Sequence, residues 1–301
     1  MYLTGFADEA AASIDAQIRA TRELGWRWIE SRGIEGKNIT DIDDAAFDAV
    51  CEKLATGGVG INCFGSAIAN WGKKIDEPFD SSLAEARRAI PRMQRLGTKL
   101  VRIMSFAVLP GRGPDDQMAE ERFRRLRELQ RLFSDAGLTP VHENCMNYGG
   151  MGWPFTLRML ENVPGLKLVF DTGNPVFSDD RATPEPHPKQ SAWEFYRHVR
   201  EHIAYVHIKD GRWDEGTGKS VFTFPGEGVG DVARIVKDLL DTGYDGGFSM
   251  EPHLAVVYHD ASITAPDQIR YANYVEYGRR FMKLVRSVGY GARLDAYLAG
   301  R

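Results

Sequence analysis

Residues 139–172 carry one complete strand–helix–strand unit: Thr139-Pro140-Val141-His142-Glu143-Asn144, a helical stretch near Pro154–Leu160, then Lys167-Leu168-Val169-Phe170-Asp171-Thr172. Both apolar runs have strand length, and both end in a carboxylate. A strand, a helix and a second strand in this order imply a parallel pair joined by a crossover. The unit recurs along the chain. Upstream, the spacing predicts strands at Tyr2–Phe6, Trp26–Glu30, Gly60–Phe64 and Leu100–Met104. Helices follow them near Ala12–Leu24, Ala45–Ala55, Ser81–Leu96 and Gln117–Ala136. In the last of these, Phe123, Leu126, Leu129 and Leu132 fall at helical spacing. Downstream come a helix at Ala192–His202, strand Ala204–Ile208, helix Asp231–Leu240, strand Gly247–Met250 and helix Gln268–Val288.

Eight such units point to an α/β (β/α)8 TIM barrel as a single domain over residues 1–301, with the tail after Val288 peripheral. An open doubly wound sheet is the alternative, but Gly5-Phe6-Ala7-Asp8 is not the Gly-rich turn that marks one. Many helices lead into the next strand through a glycine (Gly25, Gly58, Gly97, Gly137, Gly243), as a left-handed helix end requires. The connections leaving the strands are long: 65–80, 105–116, 144–153, 172–190 and 209–230. In a barrel these loops share the face where active sites lie, so they predict an enclosed pocket.

The 301 residues are 43% hydrophobic and 27% charged, with a formal net charge of -4. This balance lacks the basic footprint of a nucleic-acid binder. Cys51, Cys63 and Cys145 are scattered, which suits a reducing compartment. No apolar run approaches the roughly 18 residues of a membrane span, and the first residues do not read as a leader. A cytoplasmic protein without a membrane partner is expected.

The chemistry gathers at four strand ends: Val141-His142-Glu143-Asn144, Val169-Phe170-Asp171-Thr172, Tyr205-Val206-His207-Ile208 and Ser249-Met250-Glu251-Pro252. Parallel neighbouring strands bring such ends close together. Three carboxylates held there would repel unless protons or a cation intervene. Glu143, Asp171, Glu251 and His207 form an oxygen-rich set with one nitrogen, suited to manganese, magnesium, cobalt or zinc. Taken singly, a glutamate after a strand is a cap or a solvated residue, and a lone histidine is a core residue. Four on consecutive strands argue for a site.

The sequence resembles the xylose isomerase-like barrel superfamily, which includes sugar-phosphate isomerases and epimerases, ketose 3-epimerases, hydroxypyruvate isomerase, inosose dehydratase and endonuclease IV. The resemblance spans almost the whole chain and is strongest in His142-Glu143-Asn144, Phe170-Asp171-Thr172-Gly173-Asn174, His207-Ile208-Lys209-Asp210, Pro225-Gly226-Glu227-Gly228 and Glu251-Pro252. It implies one divalent metal, manganese first, on Glu143, Asp171, His207 and Glu251, with the two glutamates as an acid/base pair. Asn174 stands where relatives commonly carry a histidine, and Arg212 is an insecure counterpart of an epimerase arginine. None of the seven histidines precedes His142, which speaks against the three-metal site of endonuclease IV.

The expected function is a metal-dependent sugar isomerase or epimerase working through an enediolate. A lyase or dehydratase acting on a keto-sugar, keto-glycoside or inosose is the alternative. A non-catalytic sugar-binding barrel and a nuclease stand further off. Lys209 is expected to aid catalysis. Glu30, Trp71, His142, Asn174, Arg212, Glu227 and His253 are expected to contact a sugar or polyol, with Trp153 and Trp213 as further stacking candidates. No loop shows a phosphate cradle, so neutral polyols are expected over bisphosphates. A homo-oligomer is compatible with the sequence.

Overall fold

The computed structural model describes residues 1–257 and 260–300. Eight parallel strands run in chain order: β1 (Tyr2–Gly5), β2 (Trp28–Ser31), β3 (Gly60–Phe64), β4 (Leu100–Ile103), β5 (Thr139–Glu143), β6 (Lys167–Asp171), β7 (Ile203–Ile208) and β8 (Gly247–Met250). Strands adjacent in sequence are adjacent in space, in the order β1-β8-β7-β6-β5-β4-β3-β2. A parallel bridge from Phe6 to Glu30 brings the two ends of that order together. The sheet is therefore a barrel, and the open alternative is set aside.

The helices that carry the crossovers are α1 (Ile14–Glu23), α2 (Asp44–Gly57), α3 (Asp80–Leu96), α4 (Ala119–Asp135), α5 (Trp153–Asn162), α6 (Ala192–Val199), α7 (Val232–Asp241) and α8 (Asp267–Val285). Local chemistry sets their ends. The Asp43 side chain accepts a hydrogen bond from the Ala46 amide to start α2, and Gly58, at φ 65°, closes it in the left-handed conformation.

The main core lies between the barrel wall and the helices, where Phe64, Leu126, Phe170, Phe195, Val206 and Phe248 are buried together. Inside the barrel, Cys63, Val141, Val169 and Tyr205 form a small apolar layer. Period-two alternation then places Glu143, Asp171 and His207 one layer above Val141, Val169 and Tyr205. Register shifts at Ile29/Glu30 against β3 and at Leu168/Val169 against β7 set this stagger, and Asp171 pairs directly with His207.

Three features depart from the sequence reading. The connection 209–230 contains an antiparallel hairpin, Asp210–Asp214 with Lys219–Thr223. The helix expected over 192–202 ends at Val199 and continues only as a 3-10 turn. The tail is not peripheral: α9 (Gly291–Leu298) buries Leu294 and Tyr297, and the Tyr297 hydroxyl donates to the Leu3 carbonyl at 2.9 Å. Among the described residues, no helix is long and apolar enough to cross a membrane. The three cysteines are free.

Candidate metal centre and active site

Glu143 ends β5, Asp171 ends β6, His207 lies near the end of β7 and Glu251 directly follows β8. All four are buried, and one ligand atom from each lies within 4.8 Å of the others. His207 Nδ1 faces Glu143 Oε1 at 3.3 Å and Asp171 Oδ2 at 3.9 Å. Its Nε2 points the opposite way, 3.0 Å from Glu30 Oε2. With Nε2 directed at Glu30, Nδ1 is the nitrogen turned to the cluster: it meets Glu143 Oε1 here, and a cation would take the place of its proton.

Each glutamate is held by an arginine. Arg102 Nη1 donates to Glu143 Oε2 at 3.1 Å, and Arg32 Nη1 donates to Glu251 Oε1 at 2.8 Å. The Phe6 ring lies under both guanidiniums, whose central carbons are 5.1 and 4.3 Å from its centroid. Arg32 is fixed in turn by Asp8 at 2.9 Å and Glu9 at 3.2 Å. Glu9 also accepts from the His253 amide at 2.8 Å and meets His253 Nδ1 at 3.0 Å.

Lys209 Nζ enters the cluster from the side, 2.7 Å from Glu251 Oε2, 3.2 Å from Asp171 Oδ2 and 2.9 Å from Asn174 Oδ1. Asn174 Nδ2 donates to Glu143 Oε1 at 3.2 Å. Asn174 thus links Lys209 to Glu143, filling the histidine's place in the resemblance with an amide that both donates and accepts.

The charges do not balance by themselves. Asp8, Glu9, Glu30, Glu143, Asp171 and Glu251 are six buried carboxylates, faced by the buried Arg32, Arg102 and Lys209 and by His207, whose imidazole pairs with Glu30 and Glu143. Burial pushes the Asp171 carboxyl up to about 6, with Glu251 and Glu143 adding to the rise and Lys209 opposing it. At Glu143 burial also acts upward, but Arg102 and His207 together outweigh it and bring the group down to about 2. His207 goes up to about 10, since Glu30 and Glu143 overcome the burial that disfavours its charge. Although Lys209 ion-pairs with both, Asp171 Oδ2 and Glu251 Oε2 receive no well-directed hydrogen bond. Two orphaned carboxylate oxygens, an excess of negative charge and an inward imidazole nitrogen fit a divalent cation.

Glu143 and Glu251 open onto a cavity of about 690 Å³ whose lining also includes Arg32, Asn38, Trp71, Arg102, Asn174, Lys209, Trp213, Lys219 and His253. Of the residues expected to contact a polyol, Trp71, Asn174, Trp213 and His253 line it. The others lie elsewhere. Glu30 is fully buried behind His207. His142, one residue from Glu143, alternates to the outer side of the barrel wall, where Nε2 meets Ser105 Oγ at 2.9 Å. Burial brings the His142 imidazole down to about 4. Arg212 is an exposed hairpin residue, and Glu227 pairs with Arg280 at 2.6 Å on the surface. Trp153 stacks on His198, with centroids 3.8 Å apart.

Sequence reasoning missed Arg32 and Arg102. Arg102 had a visible signal, a lone arginine within the apolar run Leu100-Val101-Arg102-Ile103-Met104. It also left Asp210 without a definite role. That carboxylate accepts from the amides of Gly211, Gly226, Gly228 and Gly230 at 2.8–3.1 Å, tying the hairpin base to the following loop.

A protein-family model described as xylose isomerase-like TIM barrel matches residues 18–281. No curated protein matches the chain. Among solved structures, the chain is similar to a xylose isomerase-like TIM barrel protein from Mycobacterium smegmatis in complex with magnesium, at 20% identity, TM-score 0.67, covering 91% of this chain and 88% of that one. It is also similar to a D-tagatose 3-epimerase-like protein, at 15% identity, TM-score 0.68, covering 97% and 100%. A third is the probable 3-DHS dehydratase involved in petrobactin synthesis from Bacillus anthracis, at 16% identity, TM-score 0.65, covering 91% and 97%. At these identities the likeness is one of fold.

Proposed function

The chain belongs to the xylose isomerase-like TIM barrel family, and from that premise we propose that it is a metal-dependent isomerase or epimerase of a sugar or sugar derivative. The observation that carries this reading is the meeting of Glu143, Asp171, His207 and Glu251 within 4.8 Å, with Glu143 and Glu251 facing a cavity. A divalent cation bound there, manganese or magnesium, supplies Lewis-acid stabilisation of negative charge on adjacent substrate oxygens.

The protein side of the chemistry follows from the two glutamates. Each keeps one oxygen on an arginine and turns the other towards the cluster. They come from β5 and from the end of β8, so the two carboxylates approach a bound substrate from different sides of the barrel. One removes a proton from the carbon beside a carbonyl, and the other returns a proton to the opposite face or to the neighbouring carbon. The arginines hold both groups ionised beforehand, and Lys209 compensates charge as the enediolate forms.

A lyase is the second reading, and Lys209 is what favours it. Its ammonium lies 2.7 Å from Glu251, so after proton removal a positive charge stands close enough to hydrogen-bond a departing β-oxygen and favour elimination.

Solvent exchange tests the shared first step. Metal-loaded protein incubated with ketoses, keto-glycosides and inososes in deuterated water is expected to place deuterium on carbon. Glu143→Gln and Glu251→Gln should each lose about 10²–10⁴ in that rate, while metal content falls less. If Glu251→Gln exchanges at the native rate with full metal, the two-base reading is wrong.

A further inference from the structure

Beside the cavity lies a side chamber, a second and more open hollow of about 360 Å³, and the two share Trp71, Cys145, Met146, Phe177 and Ser178 as lining. The main chamber alone, at about 690 Å³, lies in the range that encloses a drug-sized ligand. A single sugar ring held on the floor leaves most of this space unfilled.

The junction is apolar. Trp71 and Met146 are large hydrophobic side chains with 37% and 45% of their surface exposed, and both line both chambers. Ala107, Val108 and Met151 continue this wall into the side chamber. Its polar lining is Asn147, Ser178, Asp179, Arg181 and Lys189, of which Lys189 pairs with Asp179 at 2.8 Å and lies 3.8 Å from the centre of the Trp213 ring. An indole, a thioether and a phenyl ring around one slot suit a flat, weakly polar group, which gains by stacking and by leaving water.

Resting on the isomerase-or-lyase reading of the floor, we propose that the substrate has two parts: a polyol ring above the cluster and an aryl-type substituent, such as an aromatic aglycone, in the side chamber. The protein then acts on keto-glycosides, whose ring carbonyl the enediolate step requires, rather than on free monosaccharides, and the side chamber sets that preference.

Calorimetric titration of the manganese-loaded protein with methyl and 4-nitrophenyl glycosides of glucose, galactose and mannose tests this. For at least one sugar, the aryl glycoside is expected to bind about tenfold or more tighter than its methyl partner. Val108→Trp, which fills the side chamber, should bring that ratio close to one, and Ala107→Phe serves the same purpose if the first variant does not fold. Equal affinity of both members of every binding pair overturns the two-part substrate while leaving the polyol site standing. A preference that survives both variants places the aryl group elsewhere and also overturns it. If no glycoside of either kind binds, the two-part substrate is overturned, while deuterium exchange on free ketoses decides the reading of the floor separately.

Discussion

His207 presents Nδ1 to the carboxylate cluster because Glu30 receives Nε2 on the other side, at 3.0 and 3.2 Å. Partners behind a ligating imidazole typically control about 10–100-fold in metal affinity. Glu30→Gln should therefore weaken manganese binding by roughly that factor in calorimetry; an unchanged affinity would remove Glu30 from the site. The four strand-end groups were legible in the sequence because each closes an apolar run whose direction is set by the barrel. The role of Glu30 was not, since a strand-end carboxylate reads the same whether it meets substrate or another side chain. His142 shows the opposite limit: next to Glu143 in sequence, it lies on the other side of the strand. Burial lowers its imidazole from 6.5 to about 4, so the folded state favours the neutral form. That contribution is complete above pH 6.5, fades as the pH falls towards 4 and amounts to about 3 kcal/mol. Urea denaturation of His142→Gln between pH 7 and 4 should show a shallower loss of stability than the parent, by up to one proton. Parallel curves would disprove it.

At the scale of elements, α4 carries a side chain that organises a loop of the functional face. Arg122 donates to the carbonyls of Ser105, Phe106, Ala107 and Gln117, at 2.5–3.1 Å. It is fully buried, and burial brings the guanidinium down to about 10, so it remains charged at neutral pH. The 105–118 connection thus takes its shape from one planar five-donor group, which lysine cannot replace. Arg122→Met leaves those carbonyls without this donor and should cost about 2–4 kcal/mol in urea denaturation, with Arg122→Lys recovering only part. A loss under about 0.5 kcal/mol would show that solvent satisfies the loop equally well. In sequence, Arg122 is one charge in a run of charged residues on an amphipathic helix, and nothing local distinguishes it from its solvated neighbours. The hairpin 210–223 was illegible for a related reason. Its strands are short and half exposed, and they lack the alternation that a buried face imposes.

On the scale of the whole molecule, the barrel divides its work between its two ends. Cluster, cavity and long loops occupy the C-terminal ends of the strands, and α9 closes the opposite end. Arg27, just before β2, donates to the Tyr297 carbonyl at 2.8 Å, and Arg293 donates to the Tyr244 carbonyl, before β8, at 3.0 Å. Leu294 is completely buried, and the Tyr297 hydroxyl reaches the backbone of β1. The tail therefore joins the first, second and eighth strands, the place where the barrel must close. Its 3.6-residue pattern is only eight residues long, too short to stand out in the sequence beside the nineteen-residue α8. Ending the chain at Val288 exposes the surfaces that Leu294 and Tyr297 cover. Each such side chain is worth about 1.5–3 kcal/mol when buried, partly offset by the freedom the tail regains. The shortened protein should lose about 3 kcal/mol in urea denaturation, yet bind manganese with an affinity within about threefold of the parent, because every ligand lies at the far end. Unchanged stability would mean that α9 only rests on the barrel. A large loss of metal affinity in a still-folded shortened chain would mean that closure at this end fixes the stagger of the strands that carry the ligands.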